Sequence, residues 1–209
     1  MLRNDAANDE IAVLQRSEGL AAEVRRLRTE LRKCEARLVE LDRLAHWDPL
    51  LDLPNRRSFL SSLDQLVARV KRYGGTAALI FVDVDGLKAI NDSFGHDAGD
   101  KALIEVARLL KSSVREADLV SRISGDEFGI LLEHADELSA WQTALRITET
   151  CDDYHSFCIA GICLPLTVAA GVAVIRSDDS PEKVLKRADQ EMYRIKGIGR
   201  VAINFGRVP

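Results

Sequence analysis

Apolar residues repeat every seven positions through the first 45 residues of the chain. Heptad position a holds Val24, Leu31, Leu38 and Ala45, and position d holds Val13, Leu20, Leu27, Cys34 and Leu41, with Ser17 as the one interruption. A stripe of about five heptads with Arg and Glu between its members is typical of a coiled coil. We therefore predict that residues 1–45 form a signalling helix that dimerises as a parallel coiled coil. The alternative is a single amphipathic helix that packs back on the rest of the chain.

Shorter helical and strand patterns fill residues 46–209, which we predict to form a second domain. Pro49 and Pro54 stop the first helix, and Asn55 can cap the next one. The patterns predict helices at 56–73, 86–94, 98–113, 135–152 and 181–196, and strands at 77–84, 119–123, 128–132, 157–163, 165–175 and 201–205. This order predicts an α+β fold with a mainly antiparallel central sheet flanked by helices.

Two pairs of acidic residues stand at the ends of predicted strands. Asp83 and Asp85 share one face of strand 77–84, because side chains alternate along a strand, and Asp126 and Glu127 lie in the turn of the predicted hairpin. Neighbouring carboxylates repel each other unless a cation holds them. With a backbone carbonyl, they offer the oxygen ligands that Mg²⁺ takes beside substrate phosphates. Each pair alone could be a solubilising strand end, but both pairs in one chain favour a metal and nucleotide site.

Basic and amide side chains complete the candidate nucleotide site. Lys88, Lys196 and Arg200 can neutralise phosphate oxygens. Asn91 and Asp100 can read the edge of a base, since a carboxylate accepts hydrogen bonds from guanine N1–H and N2–H. The sequence of a P-loop is absent, which excludes that class of NTPase at the level of motifs.

Composition narrows the remaining classes of function. The net charge of −4 and the pI of about 5.6 give no strong field for nucleic acid or an anionic membrane. No apolar run approaches the roughly 20 residues of a membrane span, and the polar N-terminus lacks a signal-peptide core. We expect no nucleic-acid partner, no membrane span and a cytoplasmic location. The four cysteines contain no Cys-x-x-Cys pair, so we expect neither a zinc site nor a disulfide framework.

Five motifs make residues 48–205 resemble the GGDEF domains of bacterial diguanylate cyclases. They are DPLLDLPNR at 48–56, VDVDGLKAIND at 82–92, FGHDAGD at 94–100, RISGDEF at 122–128 and ADQEMYRIK at 188–196. The resemblance implies a palm like that of nucleotidyl cyclases, which condenses two GTP into cyclic di-GMP and two pyrophosphates across a homodimer. It departs at Ser124, where the family signature begins with glycine. A position that needs positive φ would strain a serine.

The resemblance also implies a role for each candidate residue. The implied ligands of Mg²⁺ or Mn²⁺ are Asp83, Asp126, Glu127 and the carbonyl of Val84, and the three acids are also the implied catalytic groups. The implied substrate contacts are Asn91 and Asp100 to guanine, Lys88, Lys196 and Arg200 to the triphosphate, and Ser124 and Gly125 in the turn over the α-phosphate.

Arg115 and Asp118 form an RxxD sequence, with five residues between Asp118 and Ser124. At this spacing the family carries an inhibitory site for cyclic di-GMP, and Arg146 stands where a second arginine of that site is expected. An RxxD sequence alone is more often a surface ion pair. Two functions stay open: an active, product-inhibited diguanylate cyclase, and a silent receptor that binds cyclic di-GMP or GTP and signals through the coiled coil. A cyclase that makes a mononucleotide is a third alternative.

Overall fold

The computed structural model describes residues 2–155, 157–159 and 161–197, with side chains described at Leu20 and from Glu23 onward. The chain divides into two units, residues 1–45 and 46–209. Helix α1 (Leu2–His46) is one continuous helix of 45 residues. The described apolar members of its heptad stripe are exposed to solvent, apart from the half-buried Ala45, with Leu31 at 58% and Leu38 at 65% of their full accessibility.

The second unit contains five helices and six strands in its described part. The helices are α2 (Arg56–Tyr73), α3 (Leu87–Phe94), α4 (His96–Ser112), α5 (Glu137–Asp152) and α6 (Pro181–Gly197). The strands are β1 (Ala77–Val84), β2 (Leu119–Ser124), β3 (Glu127–Glu133), β4 (Cys158–Ile159), β5 (Ile162–Cys163) and β6 (Val168–Val174). Four strands form an antiparallel sheet in the order β2-β3-β1-β6. The predicted α+β fold with an antiparallel central sheet flanked by helices is confirmed.

Strand β1 is buried along its whole length and separates two apolar cores. Ala78, Ile80, Val82 and Val84 belong to the core that includes α4 and α5. Leu79 and Phe81 belong to the core that includes α2 and α6. Because side chains alternate along a strand, Asp83 lies on the α6 side of the sheet.

Helix α6 lies directly on strand β6 at Gly171. A Cβ atom at this position would lie 2.2 Å from the backbone nitrogen of Met192 and 2.3 Å from the carbonyl oxygen of Ala188. Only a glycine therefore lets the helix approach this closely. The close approach fixes the height of α6 above the sheet, and with it the position of Lys196 in the last turn of the helix.

Two expectations from the sequence are corrected in the region after α5. The single strand predicted at 157–163 is two short strands, β4 and β5, which pair as a hairpin around Gly161 at φ 81°. Cys158 and Cys163 lie opposite each other in this hairpin and form one disulfide, where the sequence led us to expect no disulfide framework. The bridge joins cysteines five positions apart, a spacing set by the hairpin and wider than that of a Cys-x-x-Cys pair.

The predicted strand at 201–205 lies outside the described residues. Within the described part of the chain, every helix is too short or too polar to cross a membrane.

Candidate active site

The acidic residues predicted from two motifs meet at one end of the β1–β3 pair. Asp83 lies directly opposite Glu127 in the antiparallel register. The Val84 N–H donates a hydrogen bond to the Asp126 carbonyl at 3.0 Å. Asp83 retains only 9% of its accessibility, whereas Asp126 and Glu127 are half-buried. The structure therefore brings a buried carboxylate and two more accessible acids together where the hairpin turns.

Lys196 neutralises Asp83 from the last turn of α6. Its Nζ donates to Oδ1 of the Asp83 carboxylate. Burial raises the pKa of Asp83 above its ordinary value, Lys196 opposes that rise, and the charges of Asp126 and Asp85 add to it. Burial lowers the pKa of Lys196, but the hydrogen bond and charge of Asp83 outweigh it, so this pKa is raised. A buried acid surrounded by other acids favours a bound cation.

The residues at this end of the β1–β3 pair fit a divalent metal bound together with a phosphorylated substrate. Among the described residues, no three His, Cys, Asp or Glu side chains converge as a complete metal site. Mg²⁺, however, is normally held by one or two carboxylates plus substrate phosphates. Asp83, the Val84 carbonyl, and Asp126 or Glu127 offer such a partial set. The side chain of Asp85 is engaged elsewhere, since it accepts a hydrogen bond from Thr167 Oγ1 at 3.1 Å.

Ser124 occupies an unstrained backbone position. Among the residues that the structure describes, His134 alone of the non-glycine residues has a positive φ, so Ser124 does not carry the strain that a positive φ would bring. The left-handed position of the turn falls instead on Gly125, at φ 22°. The Ser124 hydroxyl donates to Oε2 of Glu127 at 2.5 Å.

The two residues predicted to read guanine lie on consecutive helices. Asn91 is on α3, and Asp100 is on α4. The Asn91 amide packs directly over Gly99, since a Cβ atom on Gly99 would lie 2.0 Å from Asn91 Oδ1. Sequence reasoning gave Gly99 no role. The available signal was a glycine inside a helix immediately before Asp100, where alanine would be the better helix former.

The structure describes two of the three predicted phosphate-binding residues. Lys88 is exposed in the first turn of α3, and Lys196 is bound to Asp83. Arg200 lies outside the described residues.

Comparison with known proteins identifies the family. The family described as "Diguanylate cyclase, GGDEF domain" matches residues 45–202. The chain belongs to this GGDEF family. Diguanylate cyclase DgcP of Pseudomonas aeruginosa is 35% identical over 198 residues, which cover 95% of this chain and 29% of DgcP. Response regulator PleD of Caulobacter vibrioides is 39% identical over 166 residues, which cover 77% of this chain and 36% of PleD.

A solved structure shares both the fold and the family. It contains the coiled coil and GGDEF domain of DgcB from Caulobacter crescentus in complex with c-di-GMP. It matches with a TM-score of 0.75 at 26% identity and covers 87% of this chain and 96% of that one. The present chain spans about a third of the length of DgcP and PleD, so it corresponds to one part of those relatives.

The GGDEF domain holds its RxxD sequence in a tight turn between α4 and β2. The Asp118 carboxylate accepts hydrogen bonds from the Arg115 N–H at 2.9 Å and from the Glu133 N–H at 3.3 Å. Arg146, on α5, donates from Nε and Nη2 to the Ser113 carbonyl at 3.0 and 2.9 Å. The structure thus places Arg146 beside this turn, while the Arg115 side chain is exposed.

Proposed function

We propose that this chain is a diguanylate cyclase, which condenses two GTP into cyclic di-GMP and two pyrophosphates across a homodimer. Membership of the GGDEF family supports the reaction class. The observation that carries the proposal is the meeting of buried Asp83 with Glu127 and Asp126 at one end of the β1–β3 pair, where Lys196 bonds Asp83. GTP as substrate also supports a cytoplasmic location.

Each residue of the candidate active site has a part in the proposed reaction. Asp83, the Val84 carbonyl, Asp126 and Glu127 would hold Mg²⁺ or Mn²⁺, which would offset the negative charge of the triphosphate. Lys196 bonds Asp83, so its ammonium group would lie close to a phosphate bound beside that carboxylate. Lys88 and Arg200 would bind other phosphate oxygens. Ser124 and Gly125 would form the turn over the α-phosphate. Glu127 can accept the proton of the attacking 3′-hydroxyl.

Guanine recognition would come from the α3–α4 pair. The Asn91 amide packs on Gly99, near the start of α4. Asp100, the residue after Gly99, has an exposed carboxylate. The carboxylate can accept from N1–H and N2–H of guanine, which adenine lacks as a pair. This donor pattern favours GTP over ATP.

A second copy of the chain would complete the reaction. Each domain would bind one GTP, and the 3′-hydroxyl of each would attack the α-phosphorus of the other as pyrophosphate leaves. The exposed apolar stripe of α1 supports a parallel coiled coil, because a second identical stripe would cover it. Such a coil raises the effective concentration of one half-site near the other.

Product inhibition would act through Arg115, Asp118 and Arg146. Arg115 offers an exposed guanidinium that can stack on guanine or bind its O6 and N7, and Arg146 lies beside the same turn. The complex of DgcB with c-di-GMP shows that a similar protein binds this nucleotide.

The test is incubation of the purified chain with GTP and Mg²⁺, followed by chromatography of the nucleotides. An Asp126→Asn variant is the control, since it keeps the shape of the side chain but removes its charge. We expect cyclic di-GMP from the unaltered chain and none from the variant. If neither protein makes product, and the unaltered chain binds cyclic di-GMP while Arg115→Ala does not, the chain is a receptor and the cyclase proposal is wrong.

A further inference from the structure

The side chain of Ser124 makes a contact that the glycine of a GGDEF signature has no atoms to make. Its hydroxyl donates a 2.5 Å hydrogen bond to Oε2 of Glu127. The acceptor is a carboxylate, so the bond is charge-assisted and stronger than a bond between neutral groups. The residue that departs from the family signature therefore binds one of the acids of the candidate active site.

A β-bulge at Ile123 creates this contact. Arg122 pairs with Phe128, and the next pair along the β2–β3 ladder is Ser124 with Glu127, so Ile123 is an extra residue on β2. Without the bulge, the ladder would place Ile123 opposite Glu127. The bulge shifts the serine into this position.

We propose that Ser124 is a positioning residue that holds the Glu127 carboxylate ready to bind a divalent metal. This rests on the function proposed above, in which Glu127 is a metal ligand. A carboxylate has two oxygens with about four acceptor sites, so one bond from a hydroxyl leaves Oε1 and further lone pairs for a cation. Carboxylates that ligate metals are commonly held by a hydrogen bond of this kind.

The surroundings support positioning rather than a role in folding. Ser124 is exposed, and the hairpin is already held by the β2–β3 ladder and by Arg122, which donates from Nη2 to the Gly125 carbonyl at 2.8 Å. The Ser124 hydroxyl adds nothing to the backbone of the turn. What it restrains is the side chain of Glu127, which lies on β3 directly opposite Asp83 of β1.

The test measures Mn²⁺ binding directly. Free Mn²⁺ is followed by electron paramagnetic resonance as it is titrated into the full chain. The nucleotide present is a GTP analogue with a methylene group between the α- and β-phosphorus, which cannot release pyrophosphate. We expect Ser124→Ala and Ser124→Gly to raise the Kd for Mn²⁺ about 10-fold, the lower end of the range for such supporting groups. Ser124→Thr, which keeps the hydroxyl and suits a strand, should stay within about 2-fold of the unaltered chain.

Glu127→Gln separates this role from a general effect on the hairpin. In that background Ser124→Ala should change the Kd for Mn²⁺ by less than about 2-fold, because the two substitutions act through one bond. Thermal unfolding of all variants should stay at the same midpoint. Equal Mn²⁺ affinity in the Ala and unaltered chains, tighter binding in the Ala variant, or no Mn²⁺ binding by the unaltered chain would each overturn the positioning role.

Activity separates this inference from the proposed function. If the unaltered chain makes cyclic di-GMP and Ser124→Ala binds Mn²⁺ normally, the positioning role is wrong and the cyclase stands. If the unaltered chain makes no cyclic di-GMP but Ser124→Ala weakens Mn²⁺ binding, the metal site stands and the cyclase is wrong. In an active enzyme, the alanine variant should need more Mg²⁺ for half-maximal rate, with an unchanged KM for GTP at saturating Mg²⁺.

Discussion

The guanidinium of Arg122 binds both carboxylate oxygens of Asp48, each at 3.2 Å. The same guanidinium donates to the Gly125 carbonyl from Nε at 3.1 Å and from Nη2 at 2.8 Å. Asp48 also accepts from the N–H groups of Leu50 and Leu51, so it organises the loop between α1 and α2. Arg122 therefore ties this loop to the turn that carries the acids of the candidate active site.

Removing either partner of the Arg122–Asp48 pair should destabilise the domain and lower its activity. Both side chains are largely buried. A charged hydrogen-bonded pair of this kind is worth about 1.5–3 kcal/mol, so we expect Asp48→Asn and Arg122→Gln each to lower the free energy of unfolding by about 2 kcal/mol. Urea unfolding and initial rates measure the two effects.

The double variant at Asp48 and Arg122 is the decisive comparison. It should lose clearly less than the sum of the two single variants, because both substitutions break the ion pair, while Arg122→Gln also removes the bonds to the Gly125 carbonyl. Arg194→Gln is a control, since Arg194 bonds Glu191 one helical turn away on the surface of α6 and should leave the unfolding midpoint unchanged. Additive losses at Asp48 and Arg122 would show that the two side chains act independently.

Substitution of Gly99 should impair guanine binding without unfolding the protein. The methyl group of Gly99→Ala would collide with the Asn91 amide and displace it, although alanine favours the helix itself. We expect KM for GTP to rise about 10-fold, equivalent to about 1.4 kcal/mol of lost binding, with a smaller change in kcat. Asn91→Ala should give a similar KM, and the double variant should be no worse. An unaltered KM in Gly99→Ala would show that Asn91 does not contact guanine.

Local patterns of the sequence are enough to predict the main helices and strands and the acidic residues of the candidate active site. The apolar run of 77–84 and the amphipathic run of 56–73 predict β1 and α2 with the bounds that the structure gives, since a short unbroken apolar run fits a buried strand and a 3.6-residue period fits a helix. The neighbouring positions of Asp83 and Glu127 follow once the hairpin is placed beside β1.

Other features depend on tertiary register, which the sequence pattern does not contain. The bulge at Ile123 decides that Ser124 faces Glu127, and the packing of α3 on α4 decides that Gly99 supports Asn91. The pairing of Cys158 with Cys163 depends on a turn at Gly161. Gly99 and the two cysteines gain a role, and Ser124 a second one, only through the partner that the fold places beside each of them.

The ion pair between Asp179 and Arg187 should make stability depend on acid pH. Two bonds of 2.6 Å join the side chains, and Arg187 also donates to the Val174 carbonyl, which fixes α6 to the end of β6. The hydrogen bond from Arg187 lowers the pKa of Asp179, although burial opposes it. A lowered pKa in the folded state adds stability above the ordinary Asp pKa of about 3.9, and that stability is lost as pH falls further.

Asp179→Asn tests this linkage. At pH 7 the variant should be about 2 kcal/mol less stable than the unaltered chain, and the difference should shrink as pH falls below about 4. Guanidinium chloride unfolding at several pH values measures it. A difference that stays constant from pH 7 to pH 2.5 would mean that the carboxylate charge contributes nothing to the pair.

Arg115 and Glu116 are neighbours in one exposed turn and form a matched pair for testing product inhibition. We expect Arg115→Ala to raise the concentration of cyclic di-GMP that halves the rate by at least about 10-fold, as expected when a bidentate arginine contact is lost. Glu116→Ala should leave that concentration unchanged. Asp118 is the poorer choice, because its carboxylate also caps the turn at the Arg115 and Glu133 N–H groups. Equal inhibition of the two alanine variants would place the inhibitory contact elsewhere.

The apolar stripe of α1 should hold two chains together, and a charge within it should separate them. Leu31 and Leu38 occupy successive a positions and are exposed within one chain. Aspartate at both would place four carboxylates in the seam of a dimer, where desolvation and repulsion oppose association. We expect Leu31→Asp with Leu38→Asp to sediment as a monomer, and its rate per chain to rise with protein concentration as encounters become limiting.

Lys33→Asp, on the outer face of the same heptads, should remain dimeric with a rate per chain that is independent of concentration. Unchanged sedimentation of the double variant would assign the stripe to another partner.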